Sequence, residues 1–183
     1  MKILLKLMLG ASLIFLSSCS DDDSSGNTII NGADSGATIR AQQIIQNDIN
    51  STTSDGALIV DLRYSDGSDN TLLETLNVYV TFFDNSEGQG DSAGSLERTE
   101  VLLRSVPNTE FGVDDNDLPS YTLTISLEDF LSATNNTATG IAVPDVFNTR
   151  LELELTDGRV FSTNNTADLG VGEATFSFIT RVE

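Results

Sequence analysis

The chain has 183 residues, with 28 Asp and Glu against nine Lys and Arg and no His. Its formal charge is −19. A field of that sign repels phosphate backbones and anionic headgroups, so neither nucleic acid nor an anionic lipid surface is an expected partner. About 39% of residues are apolar and fall in periodic runs, which sets the chain apart from acidic disordered sequences.

The first eighteen residues differ in kind from the rest. Lys2 and Lys6 form a basic start, residues 7–16 are nearly all apolar, and Ser17-Ser18-Cys19 closes the segment with small side chains. An apolar run of roughly ten residues is too short for a bilayer, which takes about 20, so residues 1–18 read as a cleaved export signal. Leu16-Ser17-Ser18-Cys19 resembles the bacterial lipobox. The resemblance implies cleavage ahead of Cys19 and a membrane anchor through lipid on that thiol. Two or three acyl chains hold a protein durably where one does not. Cys19 is the only cysteine, so no disulfide can form within the chain and the fold must rest on its core.

Cleavage would remove both lysines and leave 28 acidic residues against seven Arg, a formal charge of −21. Ser20-Asp21-Asp22-Asp23 resembles the acidic signal that sends lipoproteins of Bacteroidota to the outer face of the outer membrane. The competing reading is a plain solvated linker. Residues 19–36 are rich in Ser, Asp, Gly and Asn and are expected to form a flexible tether. Residues 37–183 then make one domain, large enough to bury a self-supporting core.

Period-two alternation dominates that domain, the pattern of antiparallel strands with one dry face. A first strand is expected at 38–46, interrupted at Ile44-Ile45. In 57–65, Leu58, Val60, Leu62 and Tyr64 oppose Asp61 and Arg63; in 72–84, Leu76, Val78, Val80 and Phe82 oppose Asn77, Tyr79, Thr81 and Phe83. Less regular alternation marks 99–106. Tyr121, Leu123, Ile125 and Leu127 form the next apolar file, and Ser126 with Asp129 reads as a capping box opening a helix at 127–134. Phe130 and Leu131 should pack that helix on the sheet. Strand 151–156 joins 159–163 through Asp157-Gly158, which predicts a two-residue type I′ turn. Ala174, Phe176 and Phe178 mark the last strand. The expected fold is all-β, an immunoglobulin-like antiparallel β-sandwich with one short helix, with a β-barrel as the alternative.

Few motifs carry chemistry. Without His, and without Lys or a free thiol after processing, the chain lacks the groups for serine or cysteine triads, Schiff bases and His- or Cys-ligated zinc. An esterase or glycosidase would need a cleft with paired carboxylates, for which no motif speaks, and no resident cofactor is expected. Asp114-Asp115-Asn116-Asp117 could offer oxygen ligands to Ca²⁺, as could Asp66, Asp69 and Asn70, though neither has EF-hand spacing; the competing reading is a charged surface loop. Asn77, Tyr79, Thr81 and Phe83 could form a ligand strip, unless the 127–134 helix or a loop covers that face. Asp91-Ser92-Ala93, in a Gly- and Ser-rich loop, resembles the short motif at which Bacteroidota O-glycosylate exported proteins, with Ser92 as acceptor.

Three stretches, 76–85, 123–127 and 151–159, resemble small surface lipoproteins of Bacteroidota that accompany TonB-dependent nutrient importers and starch-utilisation-system lipoproteins. The resemblance implies a non-enzymatic, lipid-anchored accessory protein of the outer membrane and cell surface. Such a protein would bind or present a substrate, a glycan or other polymer, or pack against an importer complex. The alternative is an envelope scaffold without a small-molecule ligand.

Overall fold

The computed structural model describes residues 36–66, 69–86, 96–97, 99–163 and 176–183. Among the described residues ten strands appear in chain order: β1 (Thr38–Asn50), β2 (Asp55–Ser65), β3 (Leu73–Asp84), β4 (Leu96–Glu97), β5 (Val101–Pro107), β6 (Gly112–Val113), β7 (Pro119–Ser126), β8 (Val146–Leu155), β9 (Val160–Ser162) and β10 (Ser177–Val182). An α-helix, α1 (Leu127–Thr134), follows β7 without a break. The mostly β character expected from the alternation is therefore present.

The apolar files fall on the buried side as predicted. Leu58, Val60, Leu62 and Tyr64 of β2, and Leu76, Val78, Val80 and Phe82 of β3, are all fully buried. They join Phe147, Leu151, Leu153 and Leu155 of β8 and Leu123 and Ile125 of β7 in a single cluster. Every member of that cluster lies between Ala37 and Val182, so this part of the chain carries its own core. It falls within one compact unit, Ser35–Glu183.

The strands hydrogen-bond into one curled sheet in the order β4-β3-β8-β10-β1-β2-β7-β6, with β5 also on β3 and β9 on β8. The expected all-antiparallel arrangement is corrected at one seam. β1 and β10 run parallel, with Asp48 opposite Arg181 and Ile49 opposite Val182. First and last strands point the same way, so their adjacency makes the sheet mixed. The Asn47 side chain reinforces the seam, its amide donating to the Ile179 carbonyl and its oxygen accepting from Thr180.

β1 runs past its expected end at residue 46. The break in its pattern corresponds to register shifts against β2 between Ala41 and Gln43 and between Ile44 and Gln46, so Ile44 and Ile45 are left about half exposed. An irregularity of this kind bends a strand and increases its twist. Gly56 makes the other close approach of these two strands. Its φ is +131°, and a Cβ there would lie 2.4 Å from the Asp48 carbonyl oxygen. Only glycine fits both conditions.

Helix α1 has the boundaries the capping box predicts. Ser126 Oγ accepts from the Asp129 N–H at 3.1 Å while the Asp129 carboxylate accepts from the Ser126 N–H at 2.9 Å. Asn135 ends the helix in the left-handed region. Phe130 is fully buried and stacks on Phe147 with ring centroids 4.7 Å apart; Phe147 in turn meets Phe82 at 4.9 Å. The helix is thus tied into the core through Phe130.

The 155–159 connection differs from the expected two-residue turn. Gly158 alone carries positive φ there, whereas a type I′ turn needs it at both central residues. The Leu155 N–H donates to Arg159 and the Gly158 N–H to Leu155, which closes a three-residue loop. Asp157 supports it by accepting from the backbone and side chain of Arg159.

Candidate functional site

The outer face of β1, β2 and β7 holds a concavity. Arg40 of β1 stands directly opposite Arg63 of β2 in the strand register. Cross-strand like charges in that position cost up to about 1 kcal/mol. The pair is notable in a chain with three times as many acids as bases. A recess of about 540 Å³ opens beside it, lined by Arg40, Ala41, Gln42, Arg63, Ser65 and Leu118. Guanidinium, carboxamide and hydroxyl groups of the described residues line it.

A second recess, of about 360 Å³, shares Gln42 and Arg63 with the first. Here Asp61, Asp114, Ser120, Tyr121 and Thr122 contribute. The Arg63 guanidinium contacts the Asp114 carboxylate through Nη2, while its Nε is buried and finds no acceptor among the described residues. Tyr121 stacks on Phe111 with centroids 5.3 Å apart, which steadies this wall. Thr122 Oγ1 donates to Asp61 at 2.6 Å.

The structure gives the Asp114 loop a clear local job. Asp114 accepts from the N–H groups of Asn116 at 2.8 Å and Leu118 at 3.0 Å, in addition to its contact with Arg63. Burial pushes its carboxyl up, but the two backbone donors and the guanidinium outweigh that and hold it below the usual carboxylate range. Asp115, Asn116 and Asp117 are exposed. The Asp66 loop is closed in the same manner: the carboxylate accepts from Tyr64 Oη at 2.6 Å, from the Leu72 N–H at 3.1 Å and from the Asn70 N–H at 3.1 Å. Burial and the adjacent carboxylate drive the Tyr64 phenol upward. Asp69 and Asn70 adopt positive φ in that turn. Among the described residues, no group of three or more acidic or thiol side chains is gathered as metal ligands would be.

Asn77, Tyr79, Thr81 and Phe83 share one face of β3, as the alternation requires. Thr81 is buried and the other three are half-buried. Neighbouring strands engage the strip. Arg150 of β8 lies over the Tyr79 ring at 4.1 Å, and Tyr79 Oη donates to Glu152 at 3.1 Å. Arg150 also holds Glu100 through two hydrogen bonds of 2.8 Å and Glu152 through one of 2.9 Å. The hydrogen bonds to Glu100 come first among the influences that raise the Arg150 guanidinium further. Ser105 of β5 donates to Asn77 at 2.6 Å. One face of the Tyr79 ring, which would stack on a sugar, is therefore occupied by a guanidinium.

One polar anchor escapes sequence reasoning altogether. Asp145 is fully buried and accepts from the N–H groups of Asn85, Ser86 and Ala142 and from the Ser86 hydroxyl. It pins the end of β3 to the start of β8. Cys19, Ser20, Asp21, Asp22, Asp23 and Ser92 lie outside the described residues. No helix among the described residues is long and apolar enough to cross a membrane. No protein-family model matches the chain, and no curated protein matches it at a significant level.

Proposed function

We propose that the protein is a non-enzymatic lipoprotein, anchored through lipid on Cys19 and displayed at the cell surface. There it binds or presents a substrate for an import complex. The observation that carries this reading is the single cysteine, placed directly after a basic and apolar leader and directly before Ser20-Asp21-Asp22-Asp23. Residue chemistry supports the non-enzymatic part, since the processed chain has no His, no Lys and no free thiol. We read the curled sheet as an immunoglobulin-like sandwich whose two halves, β3 with β8 and β2 with β7, share one core. The open recess beside Arg40 and Arg63 would serve as the binding surface.

The test combines metabolic palmitate labelling, protease shaving of intact cells and co-purification. Cys19→Ala should abolish acyl label and leave an unprocessed or misplaced chain. Replacing Asp21, Asp22 and Asp23 with Ala should preserve the label but remove the protein from the protease-sensitive surface. Normal palmitate incorporation by Cys19→Ala would overturn the anchor. Unchanged shaving of the triple variant would reduce the acidic run to a linker. Co-purification of neither an importer nor a glycan would favour the scaffold alternative.

A further inference from the structure

We infer that a small recess between the turn ahead of β3 and the segment 108–119 binds one ring of a neutral saccharide. It has a volume of about 340 Å³ and shares no lining residue with the two recesses on the outer face of β1, β2 and β7. Small-molecule sites run from about 300 to 1,000 Å³, so this size suits a single ring rather than an extended ligand. Leu73, Phe111, Val113 and Pro119 make its apolar part, and Asn70 and Asn108 its polar part.

The aromatic ring, the two carboxamides and the absence of charge together select the ligand. Phe111 lines the recess and is backed by Tyr121, which does not line it, with ring centroids 5.3 Å apart. A ring steadied in this way is a platform for the apolar face of a sugar ring. Asn70 Oδ1 accepts from the Asp66 N–H at 2.9 Å, and Asn108 Nδ2 donates to the Leu73 carbonyl at 2.9 Å. These bonds fix how each amide is turned, leaving the Asn70 nitrogen as a donor and the Asn108 oxygen as an acceptor. A hydroxyl group, donor and acceptor at once, answers both. The described residues that line the recess carry no charge, although Asp66, Asp69, Asp114, Asp115 and Asp117 stand in the same turns. Those carboxylates turn an anionic ligand away, and a cation would find no ionic partner inside.

Binding here rests on the proposed role only in that a substrate is bound at all. The two fail separately, since anchoring and display are read by acyl label and shaving, and this site by titration. Titration calorimetry on the full chain, in a detergent without a sugar headgroup, would use maltohexaose, cellohexaose and mannohexaose as probes. Oligogalacturonate and cyclohexanol serve as comparisons, the first for charge and the second for a ring with a single hydroxyl. At least one neutral oligosaccharide should bind, about tenfold or more tighter than either comparison. Phe111→Ala should weaken that binding about tenfold or more and Asn108→Ala about fivefold or more. Arg181→Gln, on an exposed cation elsewhere, should leave it unchanged. Should Phe111→Ala disturb folding, seen as a lowered urea midpoint, Asn108→Ala and Val113→Asp carry the test, because both side chains are exposed. The site is overturned if none of the three neutral probes binds, if either comparison binds as tightly, or if Asn108→Ala keeps full affinity.

Discussion

Placing a carboxylate at Val80 is a direct test of the strand faces. Val80 is fully buried on β3, in file with Leu76, Val78 and Phe82. Val80→Asp removes a valine from the core, worth about 1.5–3 kcal/mol of burial. It also forces a carboxylate to stay neutral or unpaired in apolar surroundings, at a further cost of several kcal/mol. Together these approach a small domain's whole margin of about 5–15 kcal/mol. With a urea slope of about 1–3 kcal/mol/M, the midpoint should fall by about 2 M or more, or folding should be lost. The comparison strand is β7. Thr124 is exposed on its outer face, and Thr124→Asp should cost about 1 kcal/mol or less, as ordinary surface substitutions in strands do. Thr122→Asp should fall between them, because Thr122 lies opposite Asp61 and bonds to it, so the new carboxylate meets a like charge. Urea melts of residues 35–183, followed by far-UV circular dichroism, give all three midpoints. Equal midpoints for the Val80 and Thr124 variants would refute the assignment of faces and the shared core built on it.

Gly56→Ala should cost about 3 kcal/mol or more in the same melts, since its Cβ overlaps the Asp48 carbonyl and the backbone sits at φ +131°; a loss under about 1 kcal/mol would show that β1 and β2 part easily there. Asp145→Ala leaves the Asn85 and Ala142 N–H groups without their acceptor, at about 1–3 kcal/mol each, while the Ser86 N–H keeps Asp84; Asp145→Asn should recover part of the loss, and a neutral effect in the melts would mean that Asp145 does not pin β3 to β8. Burial raises the Asp129 carboxyl, but the Ser126 donors and Arg104 outweigh it, so its folded pKa lies below the unfolded one. Its contribution is therefore complete above the unfolded value of about 3.9 and is lost as pH falls through the folded one. Stability measured from pH 6 down to pH 2 should drop below about pH 4, less steeply in Asp129→Asn, and an identical slope in that variant would contradict the capping role.

Much of the fold was legible because its signals are local. The β2 and β3 files and the Ser126–Asp129 box each lie within a dozen residues, and the structure reproduces them. The first half of β8, residues 146–150, shows no alternation, because Val146 and Phe147 are adjacent apolar residues followed by the polar stretch Asn148, Thr149 and Arg150. Thr149 is fully buried, which hydropathy alone would not suggest. At Ile44-Ile45 the sequence showed that something breaks, but only the pairing with β2 shows that the break is an irregular register. The recess was invisible for the same reason. Arg40 and Arg63 are unremarkable outward residues until the register sets them face to face. The parallel seam depends on residues 133 apart in the chain, and no periodicity reports that distance.

The seam also sets the order of events in making the protein. Ile49 and Ser51 complete their hydrogen bonding with Glu183, and Val182 donates to Asp145. The first strand therefore waits for the last, and contacts that span most of the chain are the slow ones to form. A chain emerging N-terminus first, from a ribosome or through a membrane pore, has β1 and β2 exposed long before β10 can arrive. Until then the half-exposed Ile44 and Ile45 stand beside an unclosed edge, where association with another chain competes with closure. The hairpin of β1 and β2 is thus the segment that a chaperone would need to shield, and the arrival of residues 177–183 closes that edge.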